Sequence, residues 1–71
     1  MNIFNILIYK NIQYILDKKN ITIYHIAKIN HIDNATIANK ISRLKKGKGI
    51  STTSLMDIAN LLEVPIEQLI K

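Results

Sequence analysis

Cysteine and tryptophan are both missing from this chain. Without thiols there is neither a disulfide staple nor a thiolate metal site. His25 and His31 are the only imidazoles. Two imidazoles with no carboxylate pair nearby do not make a metal centre. Glycine occurs only at Gly47 and Gly49, and proline only at Pro65, so no glycine-rich loop can cradle a phosphate and little would interrupt a helix. No apolar run approaches the ~20 residues that cross a bilayer. The acidic residues are Asp17, Asp33, Asp57, Glu63 and Glu67. They fall mostly at expected helix ends, where a carboxylate caps or complements the dipole. No nucleophile–base pair occurs, and a chain this short leaves little room for a deep pocket. An enzyme is therefore not expected, nor is a cofactor, a metal or a small-molecule ligand.

What is present is aliphatic and basic. The 71 residues include sixteen isoleucines. They are expected to form one small domain over residues 1–71, whose single core yields about 3–5 kcal/mol. The formal net charge of +5 and pI near 9.7 call for an anionic partner, nucleic acid first and a membrane surface second. The membrane reading is the weaker, because residues 3–16 carry few cations and their apolar positions suit core packing. The start, Met1 to Lys10, has no positive leader before its apolar residues and no small-residue cleavage site. A signal peptide is therefore not expected, and a cytoplasmic location is.

The charge is concentrated. Residues 38–48 hold five of the ten basic side chains (Lys40, Arg43, Lys45, Lys46 and Lys48), and no acidic residue lies between Asp33 and Asp57. Ile37, Ile41 and Leu44 recur through this run at helical spacing, so the cations ride on a helix anchored from behind. A small cationic helix with polar tips is what the major groove of DNA accepts.

Periodicity and punctuation predict an all-α chain of five helices. The first runs from about Asn5 to Lys19, with Leu7, Ile8, Ile12, Ile15 and Leu16 as its apolar stripe and Asn20 as a left-handed stop. Residues 1–8 form an apolar extension that reads equally as helix or as β-branched strand. Thr22 caps a second helix bearing Ile23, Ile26, Ala27 and Ile29. Ala27 is short enough for two helices to cross closely. Asn30 and His31 form the turn, with Asn30 suited to a left-handed backbone. Asp33 caps a third helix, or Asn34 begins it, and the helix closes at Gly47. A fourth starts after Ser51 or Thr52 and buries Leu55, Ile58, Ala59 and Leu62. Pro65 opens a short fifth helix as its first residue, with Ile66, Leu69 and Ile70 turned inward. Tyr9, Tyr14 and Tyr24 are expected to pack half-buried.

The second and third helices with their turn form a helix-turn-helix candidate. At this point the sequence resembles the phage Cro/repressor-type helix-turn-helix family, also called the xenobiotic-response-element type, over about residues 9–70. Ile23-Tyr24-His25-Ile26-Ala27-Lys28 is similar to the family's helix 2. Ile41-Ser42-Arg43-Leu44-Lys45-Lys46-Gly47-Lys48 resembles the end of its recognition helix. Ile50 to Leu62 resembles its S-x-x-T-L-x-x-I-A-x-A-L helix, and Val64-Pro65-Ile66-Glu67-Gln68-Leu69 its closing turn and helix. Anchored on Ile26-Ala27, the family pattern starts the recognition helix at Asp33. Anchored on Ile41-Ser42-Arg43, it starts near Ile37, about one helical turn later. The family's turn favours glycine where this chain has His31.

The resemblance implies a compact five-helix, lambda-repressor-like DNA-binding domain. It implies a transcriptional regulator, a homodimeric repressor that reads a short palindrome of double-stranded DNA. Asn34, Ala35, Thr36, Asn39 and Arg43 become the base-reading candidates. Asn bonds adenine and Arg bonds guanine in bidentate fashion, and small methyl-bearing side chains meet thymine. Thr22, Tyr24, His25, Lys40, Lys45, Lys46 and Lys48 become the phosphate contacts. Ile3, Phe4 and Ile6, with Ile66, Leu69 and Ile70, are the candidate dimer surfaces. The alternative is an interaction module of the same fold, an antirepressor or antitoxin-like subunit without direct DNA readout.

Overall fold

Asn2 decides where the first helix starts. In the computed structural model, which describes residues 2–71, its side-chain oxygen accepts from the backbone N–H of Phe4 at 2.8 Å and of Asn5 at 3.4 Å. With two of its leading donors satisfied, helix α1 runs over Ile3–Lys19. The ambiguous extension is thus helical from Ile3, and Met1 lies outside the described residues. Helix α2 spans Ile23–Ile29, α3 Asn34–Lys45, α4 Thr52–Leu62 and α5 Glu67–Ile70. The described residues contain five helices and no strand, as the periodicity predicts.

Local side-chain chemistry sets the starts. The Thr22 hydroxyl accepts from the His25 N–H at 3.1 Å, the Asp33 carboxylate from the Ala35 N–H at 3.2 Å, and the Ser51 hydroxyl from the Ser54 N–H at 3.1 Å. Asp33 as cap starts α3 at Asn34, the earlier of the two expected starts. Pro65 differs from expectation. It stands two residues ahead of α5, and its carbonyl accepts from the Gln68 N–H at 3.0 Å.

Four helices stop in one and the same way. A left-handed residue ends each: Asn20 (φ 55°), His31 (φ 56°), Gly47 (φ 79°) and Glu63 (φ 59°). The next residue's N–H then reaches five back along the chain, Ile21 to Leu16, Ile32 to Ala27, Lys48 to Arg43 and Val64 to Ala59, at 2.8–3.1 Å. This is the Schellman pattern, which pairs carbonyls that a helix end would leave orphaned. In the α2–α3 turn His31, not Asn30, takes the left-handed backbone. Asn30 sits at φ −93° and uses its side-chain amide to donate to the Ile26 carbonyl at 2.8 Å.

The core comprises Ile8, Ile12, Ile15 and Leu16 of α1, Ile26 and Ala27 of α2, Ile37, Ile41 and Leu44 of α3, Ile58, Ala59 and Leu62 of α4, and Leu69 of α5. α1 is its spine and packs against both α3 and α5. Leu69 is 0% exposed, which corrects its assignment to a dimer surface: a side chain with no surface of its own cannot meet a partner. Ile66 is half-buried against the core, and only Ile70 of that trio keeps a substantial exposed face. Leu7 and Ile29, expected inside, are exposed. Tyr14 and Tyr24 are also exposed, and only Tyr9 is half-buried.

Candidate nucleic-acid interface

The outward face of α3 follows from what the inward face must do. Ile37, Ile41 and Leu44 are 5%, 6% and 1% exposed, so they turn toward the core. At 3.6 residues per turn the opposite side presents Ala35, Thr36, Asn39, Ser42, Arg43 and Lys46. All but the half-buried Ser42 are exposed. Ala35 and Asn39 are one turn apart, and Asn39 and Arg43 another, so methyl, amide and guanidinium side chains align along one ridge. Asn34 is exposed at the helix start, in line with Ile37 and Ile41 and ahead of the ridge, not along it.

Two devices hold the ridge. At its leading end Ala27, 2% exposed, lets α2 and α3 pack closely across the turn. At its trailing end the Gly47 carbonyl accepts from the Asn2 N–H and from Asn5 Nδ2, each at 3.3 Å. Sequence reasoning missed that clamp. Its partners are 42 or more residues apart, and nothing local marks them.

Of the cations, Arg43 lies on the ridge and Lys46 at its trailing end, and the other lysines flank it. Arg43 Nε donates to the Gly49 carbonyl at 3.1 Å, which draws the guanidinium toward the α3–α4 loop and leaves its paired Nη groups for recognition. Lys40 is half-buried on the flank facing α4. With Arg43, Gly49, Ser51 and Ser54 it lines a shallow recess. Lys45 leans the other way, its Nζ 5.9 Å from the Tyr9 ring centroid on α1, a contact worth about 0.5–1 kcal/mol at an exposed site. Lys46 and Lys48 are exposed at the end of the helix. Lys48 occupies the position that at the other three stops is Ile21, Ile32 or Val64. A cation thus replaces the apolar residue that usually accompanies this motif.

At the α2 end, Thr22, Tyr24 and His25 are all exposed. The Thr22 hydroxyl is engaged as the cap. Gly49, Ser51 and Ser54 were not among the expected site residues, although a Ser-Thr-Thr-Ser run beside a basic cluster is a readable sign of them. Among the described residues no group of His, Asp and Glu side chains could hold a metal ion, and no helix is long and apolar enough to cross a membrane. A groove of 210 Å³ between α3 and α4, lined by Ile32, Thr36, Lys40, Asp57 and Leu61 among others, falls below the ~300–1,000 Å³ of small-molecule sites.

A buried α2–α3 pair that displays a polar, cation-flanked helix defines a helix-turn-helix DNA-binding domain. A family model described as the Cro/C1-type HTH DNA-binding domain matches residues 11–71, and the chain belongs to that family. Domains of this kind are DNA-binding regulators. No curated protein matches the chain, and neither does any solved structure.

Proposed function

We propose that this chain is a sequence-specific transcriptional repressor that places α3 in the major groove and binds a short palindromic operator as a homodimer. The observation that carries the reading is the outward ridge of Ala35, Thr36, Asn39 and Arg43, backed by buried Ile37, Ile41 and Leu44. Asn34, Asn39 and Arg43 read base edges by hydrogen bonding, and Ala35 and the Thr36 methyl meet thymine methyls. Lys40, Lys45, Lys46 and Lys48 on α3 and just past its end, with Thr22, Tyr24 and His25 at the start of α2, contact phosphates and fix the docking without reading sequence. One such domain covers only a few base pairs. Two copies spaced by one turn of duplex, about 34 Å, read an inverted repeat. Occupancy alone then blocks access to the site.

Anisotropy titrations of the full chain on duplex DNA at several salt concentrations test this. With four or five phosphates neutralised per copy, log affinity should fall against log salt with a slope of about −4 per copy. Failure of micromolar protein to bind any duplex at about 50 mM salt, where such contacts are strongest, would refute it in favour of a protein-interaction module.

A further inference from the structure

Arg43 is the only arginine in the chain, so the one guanidinium able to grip a base through two parallel N–H bonds stands on the ridge. A long exposed side chain of this kind ordinarily keeps rotamer freedom that binding must remove. Here the α3–α4 loop removes it beforehand. The Gly49 carbonyl accepts from Arg43 Nε at 3.1 Å, and the Arg43 carbonyl accepts from the Lys48 N–H at 2.8 Å. The loop thus holds Arg43 by side chain and backbone at once. It needs a hold of its own, since it contains both glycines of the chain and glycine leaves a loop its most permissive backbone. The Asn5 amide supplies that hold. Asn5 is half-buried, and its Nδ2 donates to the Gly47 carbonyl at 3.3 Å. The same nitrogen is 3.5 Å from where a Cβ on Gly49 would stand. The Asn2 N–H shares the Gly47 carbonyl, whereas Asn5 reaches across to Gly49 as well. One amide on α1 therefore lies against both ends of the segment that anchors Arg43.

We infer that Asn5 is a positioning residue for sequence reading: acting through Gly47 and Gly49, it fixes the Arg43 guanidinium in the pose from which its Nη groups meet guanine. The inference rests on the operator-binding reading. It adds a determinant on α1, ahead of residues 11–71 that the family model matches. The chemistry of the guanidinium explains why a hold at Nε matters. Released, its N–H donors serve a phosphate oxygen, a lone base acceptor or the paired acceptors of guanine with little preference. Anchored at Nε, the planar fork is confined in position and direction. Guanine, with O6 and N7 side by side, then satisfies both Nη groups, and the other bases leave a donor unpaired. Specificity is a difference of affinities, so a fixed fork enlarges that difference without any contact between Asn5 and DNA. A purely structural role for Asn5 is separable from this one. Asn11 makes the same kind of tie from the same helix to a different place, its Nδ2 donating to the carbonyls of Leu69 at 2.7 Å and Lys71 at 3.1 Å.

Duplexes selected by the full chain from a random pool supply the probe, each base pair then being replaced in turn and affinity read by anisotropy. Arg43→Ala first locates the base pair whose guanine preference, about 5- to 150-fold for one bidentate contact, depends on this side chain. If no such base pair emerges, the inference falls. Asn5→Ala should cut the preference there about 2- to 30-fold, the range for couplings carried through a packed network. It should leave the preference that depends on Asn39 unchanged, and in the Arg43→Ala background it should alter no preference further. Asn11→Ala should lower the thermal midpoint comparably and keep the guanine preference whole. Full guanine preference in Asn5→Ala, or equal erosion at every base pair, would overturn the inference while leaving operator binding intact. A second arm needs no DNA and reads a unique signal, because Arg43 is the lone arginine. Its Nε–H should exchange slowly with solvent and show a high order parameter in nitrogen relaxation. Asn5→Ala should speed the exchange and lower the order parameter, and Asn11→Ala should do neither. Unchanged values in Asn5→Ala would overturn the inference. If no duplex is ever enriched, operator binding fails, and this arm still decides whether Asn5 fixes the guanidinium.

Discussion

The outward ridge of α3 and the outward face of the first turns of α1 have the same construction beneath and opposite chemistry above. Both helices sink their other side into the core, through Ile37, Ile41 and Leu44 in one case and Ile8 and Ile12 in the other. Above that backing, α3 shows amide, hydroxyl and guanidinium groups ringed by lysines, whereas the first turns of α1 show the apolar Ile3, Phe4 and Leu7. The difference teaches that the same aliphatic backing can carry a face built for hydrogen bonding or one with no polar group to offer. A polyanion is drawn to the cationic face, and the apolar turns of α1 offer it neither charge nor hydrogen bonds.

The strongest way to break the comparison is to remove the backing. Leu44→Ala takes away a side chain that is 1% exposed, a change that costs about 2–5 kcal/mol. A domain of this length has about 3–5 kcal/mol in total. Thermal melts followed by circular dichroism should show the variant largely unfolded, and both faces should be lost together. Next in size is a change confined to the ridge. Asn39→Ala should cost about 1–3 kcal/mol on a selected operator and little on random duplex. Lys48→Ala should weaken both about equally and reduce the salt slope by about 1. Equal losses for both variants on every sequence would remove the distinction between reading and positioning. Neither should move the thermal melt by more than about 0.5 kcal/mol, as for other exposed substitutions, which separates the ridge from its backing.

Smaller effects lie in the scaffold. Asp33→Ala deletes the oxygen that accepts from the Ala35 N–H and should destabilise the domain by about 1 kcal/mol, read as a lower denaturant midpoint. The smallest effect should have the opposite sign. Glu63 sits at φ 59°, where a residue with a side chain bears roughly 1–2 kcal/mol of strain. Glu63→Gly relieves that strain and forfeits about 0.5–1 kcal/mol of unfolded-chain entropy. The net result should be a slightly higher denaturant midpoint with both faces untouched.

These scaffold positions also show what was legible in the chain before its fold. Thr22, Asp33, Ser51, Asn20 and Gly47 were readable because caps and stops act within a few residues of themselves. The core stripe of α3 was readable because twelve residues give periodicity room to repeat. In the four residues of α5 it has no such room, so Leu69 could not be told from Ile66 and Ile70, although the fold buries the first completely and leaves the last 40% exposed. His31 took the left-handed turn from Asn30 because the amide of Asn30 found the Ile26 carbonyl, a choice intrinsic preference does not reveal. The start of α1 was ambiguous because its β-branched residues suit helix or strand, and Asn2 tips the balance through a local cap. The ties of Asn5 to Gly47 and of Asn11 to Leu69 and Lys71 join residues 42 to 60 positions apart. They position the ridge and the last helix, yet no spacing in the chain announces them.

Selection of duplexes from a random library by the full chain tests the central claim most directly, since it asks whether the α3 ridge reads sequence at all. The account predicts enrichment of a short inverted repeat with half-sites about one helical turn apart, and loss or relaxation of the consensus when Asn39→Ala is used in place of the native chain. A pool that stays random after repeated rounds, or an identical consensus recovered by both proteins, would contradict it.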